Sequence, residues 1–190
     1  MTAPTLTLAS ASPRRRQLLE MLGIPLRVVP SNIIEVRRAL ETPMDYVERL
    51  AREKALSVPG DLVLGADTTV VVRDAVLEKP SDPADALQML QRLQGRTHQV
   101  VTSVVLVAKE MVHQATDVTN VTFRRVDDGF LEAYVATGEP MDKAGAYGIQ
   151  GYGAALVERI EGDFFSVMGL PLRLVLNLLS EAGVEYRFGK

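Results

Sequence analysis

Hydrophobic and polar positions change their period several times along this 190-residue chain, and each change marks a predicted element. The apolar run Leu6–Ala9 predicts a short buried strand, and Leu26–Val29 predicts a second strand. Between them, Ser12 and Pro13 are typical of a helix start and Gly23 of a helix end. Strands therefore alternate with helices from the beginning of the sequence.

The alternation continues through the rest of the chain. Thr42 and Pro43 predict a helix that runs to about Val58, and Asp82-Pro83 predicts another that ends at Gly95. The remaining predicted elements are a strand at 62–72 interrupted at 65–68, a strand at 76–77, a hairpin of 99–108 and 112–126, helices at 130–135 and 172–182, and a strand at 155–160. This order predicts an α/β fold with a mixed sheet.

Composition narrows the class of protein. A hydrophobic content of 47% with 24% charged residues is ordinary for a folded domain, so we expect one domain over residues 1–190. A net charge of −3 argues against nucleic-acid or anionic-membrane partners, which require a basic surface. No apolar stretch is long enough to span a bilayer, and Met1–Pro4 lacks the start of a signal peptide, so we expect a cytoplasmic location.

The absence of cysteine excludes disulfides, thiolate zinc sites and a cysteine nucleophile. Any metal would therefore be a hard cation held by oxygen ligands. His98 and His113 fall on the predicted hairpin strands, where we interpret both as structural or exposed. No ordering of Ser, His and Asp suggests a catalytic triad.

The most concentrated positive charge lies at the first predicted helix start, in the stretch Ser10-Ala11-Ser12-Pro13-Arg14-Arg15. A helix N-terminus offers free N–H groups and a partial positive charge, and arginine grips phosphate in two places. The stretch predicts a phosphate cradle. A capped surface helix with solvated arginines is the alternative.

Three further side chains have unusual predicted surroundings. Lys54 lies on the inward face of the 43–58 helix, where it requires an anion unless it only snorkels past the edge. Asp67 lies within the apolar stretch "LVLGADTTVVV", so it needs a cation, a metal or several N–H donors unless it is a structural turn residue. Gly65 and Ala66 before it keep side-chain bulk away, which allows a ligand to come close to the backbone. Glu35 is either an exposed loop acid or a second carboxylate for Mg²⁺ or Mn²⁺.

Two later segments add polar groups. Lys79 precedes Pro80, which fixes the backbone where the lysine projects. The glycines of the segment 139–153 indicate close backbone contacts or turns of positive φ, but they form neither a Walker A loop nor a complete dinucleotide fingerprint. Within this segment, the amide of Gln150 is able to read a base edge by a paired donor and acceptor.

Together these residues resemble the Maf family of nucleoside triphosphate pyrophosphatases. The matching motifs cover nearly the whole chain in family order: "SASPRR" at 10–15, "EKA" at 53–55, "GADT" at 65–68, "EKP" at 78–80, "EPMDKAGAYGIQG" at 139–151 and "GDFFSVMGLPL" at 162–172. The resemblance implies an elongated mixed β-sheet surrounded by helices, with two lobes around a deep cleft, as in inosine triphosphate pyrophosphatase-like proteins. It also implies a divalent-metal-dependent hydrolase, often a homodimer.

The form "DKAGAYGIQG" is similar to the branch that hydrolyses dTTP and UTP to the monophosphate and pyrophosphate. By this resemblance Asp67 is the catalytic base, and Glu35 with Asp67 is the metal side of the site. The resemblance assigns phosphate contacts to Ser10, Arg14, Arg15, Lys54 and Lys79, and base choice to Arg14, Thr68 and Gln150. The expected substrates extend to modified pyrimidine triphosphates. The alternatives are a pyrophosphatase for 7-methyl-GTP or purine triphosphates, and a non-catalytic nucleotide-binding regulator of septum formation. The arginines of "EVRRAL", which follow Glu35, have no role in this interpretation.

Overall fold

The computed structural model describes residues 5–188, so the expectation for Met1–Pro4 falls outside the described residues. Within that range the chain forms six α-helices and seven strands. In chain order these are β1 (Leu6–Leu8), α1 (Pro13–Met21), β2 (Leu26–Val28), α2 (Pro43–Leu56), β3 (Leu62–Val72), β4 (Ala75–Leu77), α3 (Pro83–Leu93), β5 (Thr97–Ala108), β6 (Met111–Phe123), α4 (Asp128–Ala136), β7 (Val157–Glu161), α5 (Phe164–Met168) and α6 (Leu172–Glu181). Three 3₁₀ turns lie at Glu139–Asp142, Ala144–Ala146 and Gly151–Leu156.

The strands form one mixed sheet in the order β2-β1-β3-β5-β6-β7, with β4 paired to β3. β1 is parallel to both β2 and β3, and its Thr7 lies opposite Arg27 on one side and Val63 on the other. β4 and β7 are antiparallel to β3 and β6 respectively. The mixed α/β sheet predicted from the sequence is confirmed.

The helix starts follow from local capping. The Ser12 side chain caps α1 by accepting from Arg15 N, and Asp82 caps α3 by accepting from Asp85 N at 2.8 Å. At α2, Thr42 and Asp45 form a reciprocal capping box. Each of these three helices has proline at its first position, where the missing N–H costs nothing. The predicted starts of α1, α2 and α3 are therefore confirmed.

The clearest differences from the sequence prediction lie in β3, β7 and α5. The predicted interruption of β3 at 65–68 is wrong, because β3 runs unbroken from Leu62 to Val72 between β1 and its other partners. β7 begins at Val157 rather than Ala155, since the preceding residues form a 3₁₀ turn. The short helix α5 was not predicted. It begins where Asp163 Oδ1 accepts hydrogen bonds from the backbone N–H groups of Phe165 and Ser166.

The described chain divides into two compact units. The first comprises residues 5–67, 102–117 and 169–188, and the second comprises residues 68–101 and 118–168. Small apolar clusters in the first unit include Ala51, Ala55 and Val105, which join α2 to β5. Among residues 5–188, no helix has the length and apolar character needed to cross a bilayer.

The core of the second unit surrounds a buried histidine. His98 is only 2% exposed, its Nε2 lies 2.8 Å from the hydroxyl of Tyr147, and its ring meets the edge of Phe123 at a centroid distance of 4.9 Å. Burial lowers the pKa of His98 from 6.5 to about 4. The structural interpretation of this histidine is confirmed, and it stays neutral at physiological pH.

This shift predicts a loss of stability in mild acid. Between pH 6.5 and pH 4 the unfolded chain binds a proton at residue 98 and the folded chain does not, so the free energy of unfolding falls as pH falls. From pH 7 to pH 5 this histidine accounts for about 2 kcal/mol. Urea unfolding at both pH values should show a smaller decrease for His98→Gln than for the wild type. Equal decreases would contradict the assignment.

Candidate active site

Asp67 lies on β3 with only 6% of its surface exposed, and it faces an ammonium group. Lys54 Nζ, on α2, donates a hydrogen bond to Asp67 Oδ1 at 2.6 Å. Lys54 is itself 6% exposed, so the pair is removed from water on both sides. The Lys54 ammonium supplies the opposite charge that a carboxylate in apolar surroundings needs. Snorkelling of Lys54 and a turn position for Asp67 are both excluded.

Gly65 allows the helix and strand that carry this pair to come close together. A Cβ on Gly65 would lie 2.5 Å from both Ala51 O and Ala55 N, so only glycine fits there. Gly65 and Asp67 share one face of β3, and Ala51, Lys54 and Ala55 share one face of α2. The expectation that a ligand approaches Gly65 is wrong. The space is filled by the backbone of α2, and this contact places Lys54 at Asp67.

A second carboxylate reaches the same ammonium group. Glu35 lies in the loop after β2, and its Oε1 is 2.8 Å from Lys54 Nζ. Its side chain is 45% exposed, in contrast to that of Asp67. Lys54 therefore holds one buried and one accessible carboxylate through a single nitrogen, and the two acids singled out from the sequence belong to one cluster.

The start of α1 contributes a buried cation. Arg15 Nε donates to Gly169 O at 2.8 Å, and Arg15 Nη1 donates to Ser10 Oγ at 3.2 Å. Ser10 Oγ also accepts from Ser12 N at 3.2 Å. The alternative of solvated arginines is thus wrong for Arg15, although Arg14 beside it is partly exposed. The helix start therefore presents the Arg15 guanidinium in a fixed position.

Burial and the neighbouring charges act in opposite directions on the pKa values of Asp67 and Arg15. Burial raises the pKa of the Asp67 carboxyl, while Lys54 and Arg15 act to lower it. Burial likewise lowers the pKa of the Arg15 guanidinium, against the opposing effect of Asp67 and Glu35. A carboxyl whose pKa lies above its ordinary range is better matched to accepting a proton near neutral pH.

The carboxylate oxygens of this cluster fit a hard divalent cation whose other ligands are water and substrate. Among residues 5–188 no group of three or more His, Cys, Asp or Glu side chains is arranged for a metal. Glu35 and Asp67 nevertheless supply carboxylate oxygens around one cationic position. Mg²⁺ is commonly held by one or two carboxylates together with water and substrate phosphate oxygens. The pair therefore fits an ion that arrives with a phosphate-bearing substrate.

The arginine-rich segment after Glu35, which had no role in the sequence analysis, belongs to a network that holds the loop. Arg49 on α2 donates to Glu41 Oε1 at 2.6 Å, to Glu41 Oε2 at 2.9 Å and to Val36 O at 3.0 Å. Arg38 N also donates to Glu41 Oε2. The hydrogen bond from Arg49 lowers the pKa of Glu41 to about 2. Sequence reasoning missed Arg49 and Glu41, because an exposed-looking acid and a helical arginine carry no local signal.

Three predicted site residues lie in the second unit. Thr68 follows Asp67 directly on β3 and is partly exposed. Lys79 is exposed just after β4 and precedes the buried Pro80. Gln150 is exposed immediately before the 3₁₀ turn Gly151–Leu156. Each has a side chain accessible to a ligand, and their roles stay predictions.

Comparisons with known proteins find relatives that cover nearly the whole chain. The dTTP/UTP pyrophosphatase of Koribacter versatilis is 49% identical over 183 residues, covering 94% of this chain and 95% of the relative. That of Salmonella typhimurium is 52% identical over 181 residues, covering 93% and 92%. Among solved structures, the Staphylococcus aureus Ham1 protein is similar with a TM-score of 0.47 and 15% identity, over 81% of this chain and 80% of that one. Residues 5–182 match the family described as Maf-like protein.

Proposed function

The chain belongs to the Maf-like protein family, and from that premise we propose that it is a nucleoside triphosphate pyrophosphatase acting on dTTP and UTP. The reaction breaks the anhydride between the α- and β-phosphates and releases the nucleoside monophosphate and pyrophosphate. The observation that carries the proposal is the buried Asp67 carboxylate, 2.6 Å from Lys54 Nζ, with Glu35 on the same nitrogen. The names of the two pyrophosphatase relatives support the choice of substrate.

Charge is the main requirement of such a site. A nucleoside triphosphate brings about four negative charges, and catalysis rests on positioning and on stabilising the charge that develops. Arg15 and Lys54 are already fixed by hydrogen bonds to Gly169 O and Asp67, so little ordering is needed when phosphate binds. The proposed phosphate contacts are Ser10, Arg14, Arg15, Lys54 and Lys79.

Asp67 acts in this proposal as the base. Its carboxylate accepts a proton from the attacking water, and the raised pKa that burial causes favours that transfer near neutral pH. Lys54 holds the carboxylate oxygen in place, and the backbone contact at Gly65 holds Lys54. The base is therefore positioned by packing as well as by charge.

A divalent cation would be held by Glu35 and Asp67 together with substrate oxygens. When bound, it supplies positive charge that offsets the triphosphate and polarises the groups it touches. Because the Glu35 side chain is 45% exposed, it is able to leave its ion pair with Lys54 and bind the metal instead. The loop network of Arg49 and Glu41 keeps Glu35 near that position.

Base selection is proposed for Arg14, Thr68 and Gln150. A paired hydrogen bond from the Gln150 amide to the base contributes on the order of 1–3 kcal/mol. Gln150→Ala should therefore lower the preference for uracil and thymine by roughly one to two powers of ten in kcat/KM, with little change for other bases. An equal loss on every nucleotide would contradict this role.

A nucleotide panel tests the whole proposal. Pyrophosphate release is measured for UTP, dTTP, CTP, ATP, GTP and 7-methyl-GTP, with Mg²⁺, with Mn²⁺ and with a chelator. The proposal expects release from UTP and dTTP that requires the metal. Preference for 7-methyl-GTP or a purine would assign the chain to the alternative substrates. Binding without release on any nucleotide would favour a nucleotide-binding regulator.

A further inference from the structure

The carboxylate of Glu139 holds the backbone that follows Gln150. Its Oε2 accepts from Tyr152 N at 2.9 Å, and its Oε1 accepts from Gly153 N at 3.0 Å. These are the second and third residues after Gln150, and all four residues belong to the second unit. A charged acceptor for two adjacent N–H groups fixes a short turn more firmly than a neutral one does.

The same carboxylate reaches the residues before Gln150 through a tyrosine. Tyr134 on α4 donates its hydroxyl hydrogen to Glu139 Oε1 at 3.0 Å, and its hydroxyl oxygen accepts from Gly148 N at 3.2 Å. Gln150 is therefore bracketed on both sides. Gly148 is held two residues before it, and the Glu139 carboxylate holds the segment after it.

The fit around Glu139 leaves no space for another side chain. A Cβ on Gly151 would lie 2.5 Å from Glu139 Oε2, and Gly151 has a φ of +70°. Both the available space and the backbone conformation therefore favour glycine at this position. Partial burial acts to raise the pKa of Glu139, but the N–H groups of Gly153 and Tyr152, together with the Tyr134 hydroxyl and Lys143, outweigh it, and the pKa is lowered. The carboxylate is thus ionised whenever the protein is at neutral pH.

From this arrangement we propose that Glu139 is a positioning residue for base selection. It holds the backbone of residues 148–153 in one conformation, so that the exposed Gln150 side chain extends from a backbone of fixed position. The inference rests on the proposed function, in which Gln150 contacts the base. Glu139 itself touches backbone and a tyrosine, so its effect on the reaction passes through Gln150.

The test is a cycle of three variants, Glu139→Ala, Gln150→Ala and the double variant, assayed on UTP and on GTP. We expect Glu139→Ala to lower the UTP-to-GTP ratio of kcat/KM by about tenfold, the value of one well-placed polar contact. The change should lie in the KM for UTP, with kcat nearly unchanged. Adding Glu139→Ala to Gln150→Ala should lower the ratio no further, because the two residues act through one contact.

Controls separate positioning from general support of the fold. Glu132→Ala removes an exposed acid from α4 and should leave the ratio and both constants unchanged. Glu139→Gln keeps a carbonyl oxygen for the Tyr134 hydroxyl and one backbone N–H, so it should retain an intermediate ratio. If Glu139→Ala does not fold, Glu139→Gln carries the test. Amide hydrogen exchange should rise at residues 148–153 in Glu139→Ala and in Glu139→Gln, and the exchange of α3 should stay unchanged.

The outcomes distinguish this inference from the proposed function. If Gln150→Ala lowers the ratio and Glu139→Ala does not, the positioning role is wrong and the proposed function stands. Equal losses on UTP and GTP in Glu139→Ala, or additive losses in the double variant, also overturn the positioning role. If Gln150→Ala leaves the ratio unchanged, the contact with the base is wrong and this inference fails with it.

Discussion

Asp67→Asn should lower the turnover of UTP and dTTP by about 10²–10⁴-fold, the usual contribution of a positioned general base. Asparagine has the shape of aspartate, and its Oδ1 still accepts the hydrogen bond that Lys54 donates at 2.6 Å. Its amide accepts no proton from water, so the chemical step loses its base. The fold should survive, because Lys54 keeps this hydrogen bond and its ion pair with Glu35 at 2.8 Å, so its buried ammonium is not left without a partner.

The assay is pyrophosphate release at saturating UTP, with thermal unfolding measured in parallel. Asp61→Asn is the matched control, since Asp61 is exposed and immediately precedes the same strand. The control should retain wild-type turnover. Wild-type turnover in Asp67→Asn would show that another group accepts the proton.

Lys54→Met should destabilise the folded chain by about 3–5 kcal/mol, the cost of leaving a buried charge without its partner. The Lys54 and Asp67 side chains are each only 8% exposed, so water cannot replace the lost ammonium. Methionine keeps most of the side-chain volume, which isolates the charge from the packing. Turnover should fall as well, since the variant lacks a cation for phosphate and a support for the base.

Urea unfolding as a function of pH checks this second prediction. Without Lys54 the pKa of Asp67 rises further above its ordinary 3.8, so the folded state prefers the neutral acid and the loss of stability should be largest at high pH. The double variant Lys54→Met/Asp67→Asn should recover part of the stability. Arg52→Met, an exposed change on the same helix, should cost little. A single variant as stable as the wild type would rule out a buried ion pair.

Much of the fold was predictable because its signals are local. The caps at Ser12, Thr42 and Asp82 act on N–H groups three residues away, so the sequence contains both partners. The apolar period of α2 likewise placed Lys54 on the inward face. The hairpin of β5 and β6 followed from two Val- and Thr-rich runs and one turn. By contrast, Gly65 and Asp67 suggested a break in β3, because strand preference is weak against the pairing that surrounds it.

The sequence by itself therefore determined the order of the elements apart from α5, where α1, α2 and α3 begin, and which charged side chains lie in apolar surroundings. Tertiary structure decided which of those charges meet. Lys54 joins Asp67 and Glu35 because Gly65 lets α2 approach β3, and no local pattern encodes that approach. Glu139 shows the same limit, since its partners at 152 and 153 come near it only when the chain has turned back. Caps and periods depend on neighbours in sequence, whereas ion pairs depend on neighbours in space.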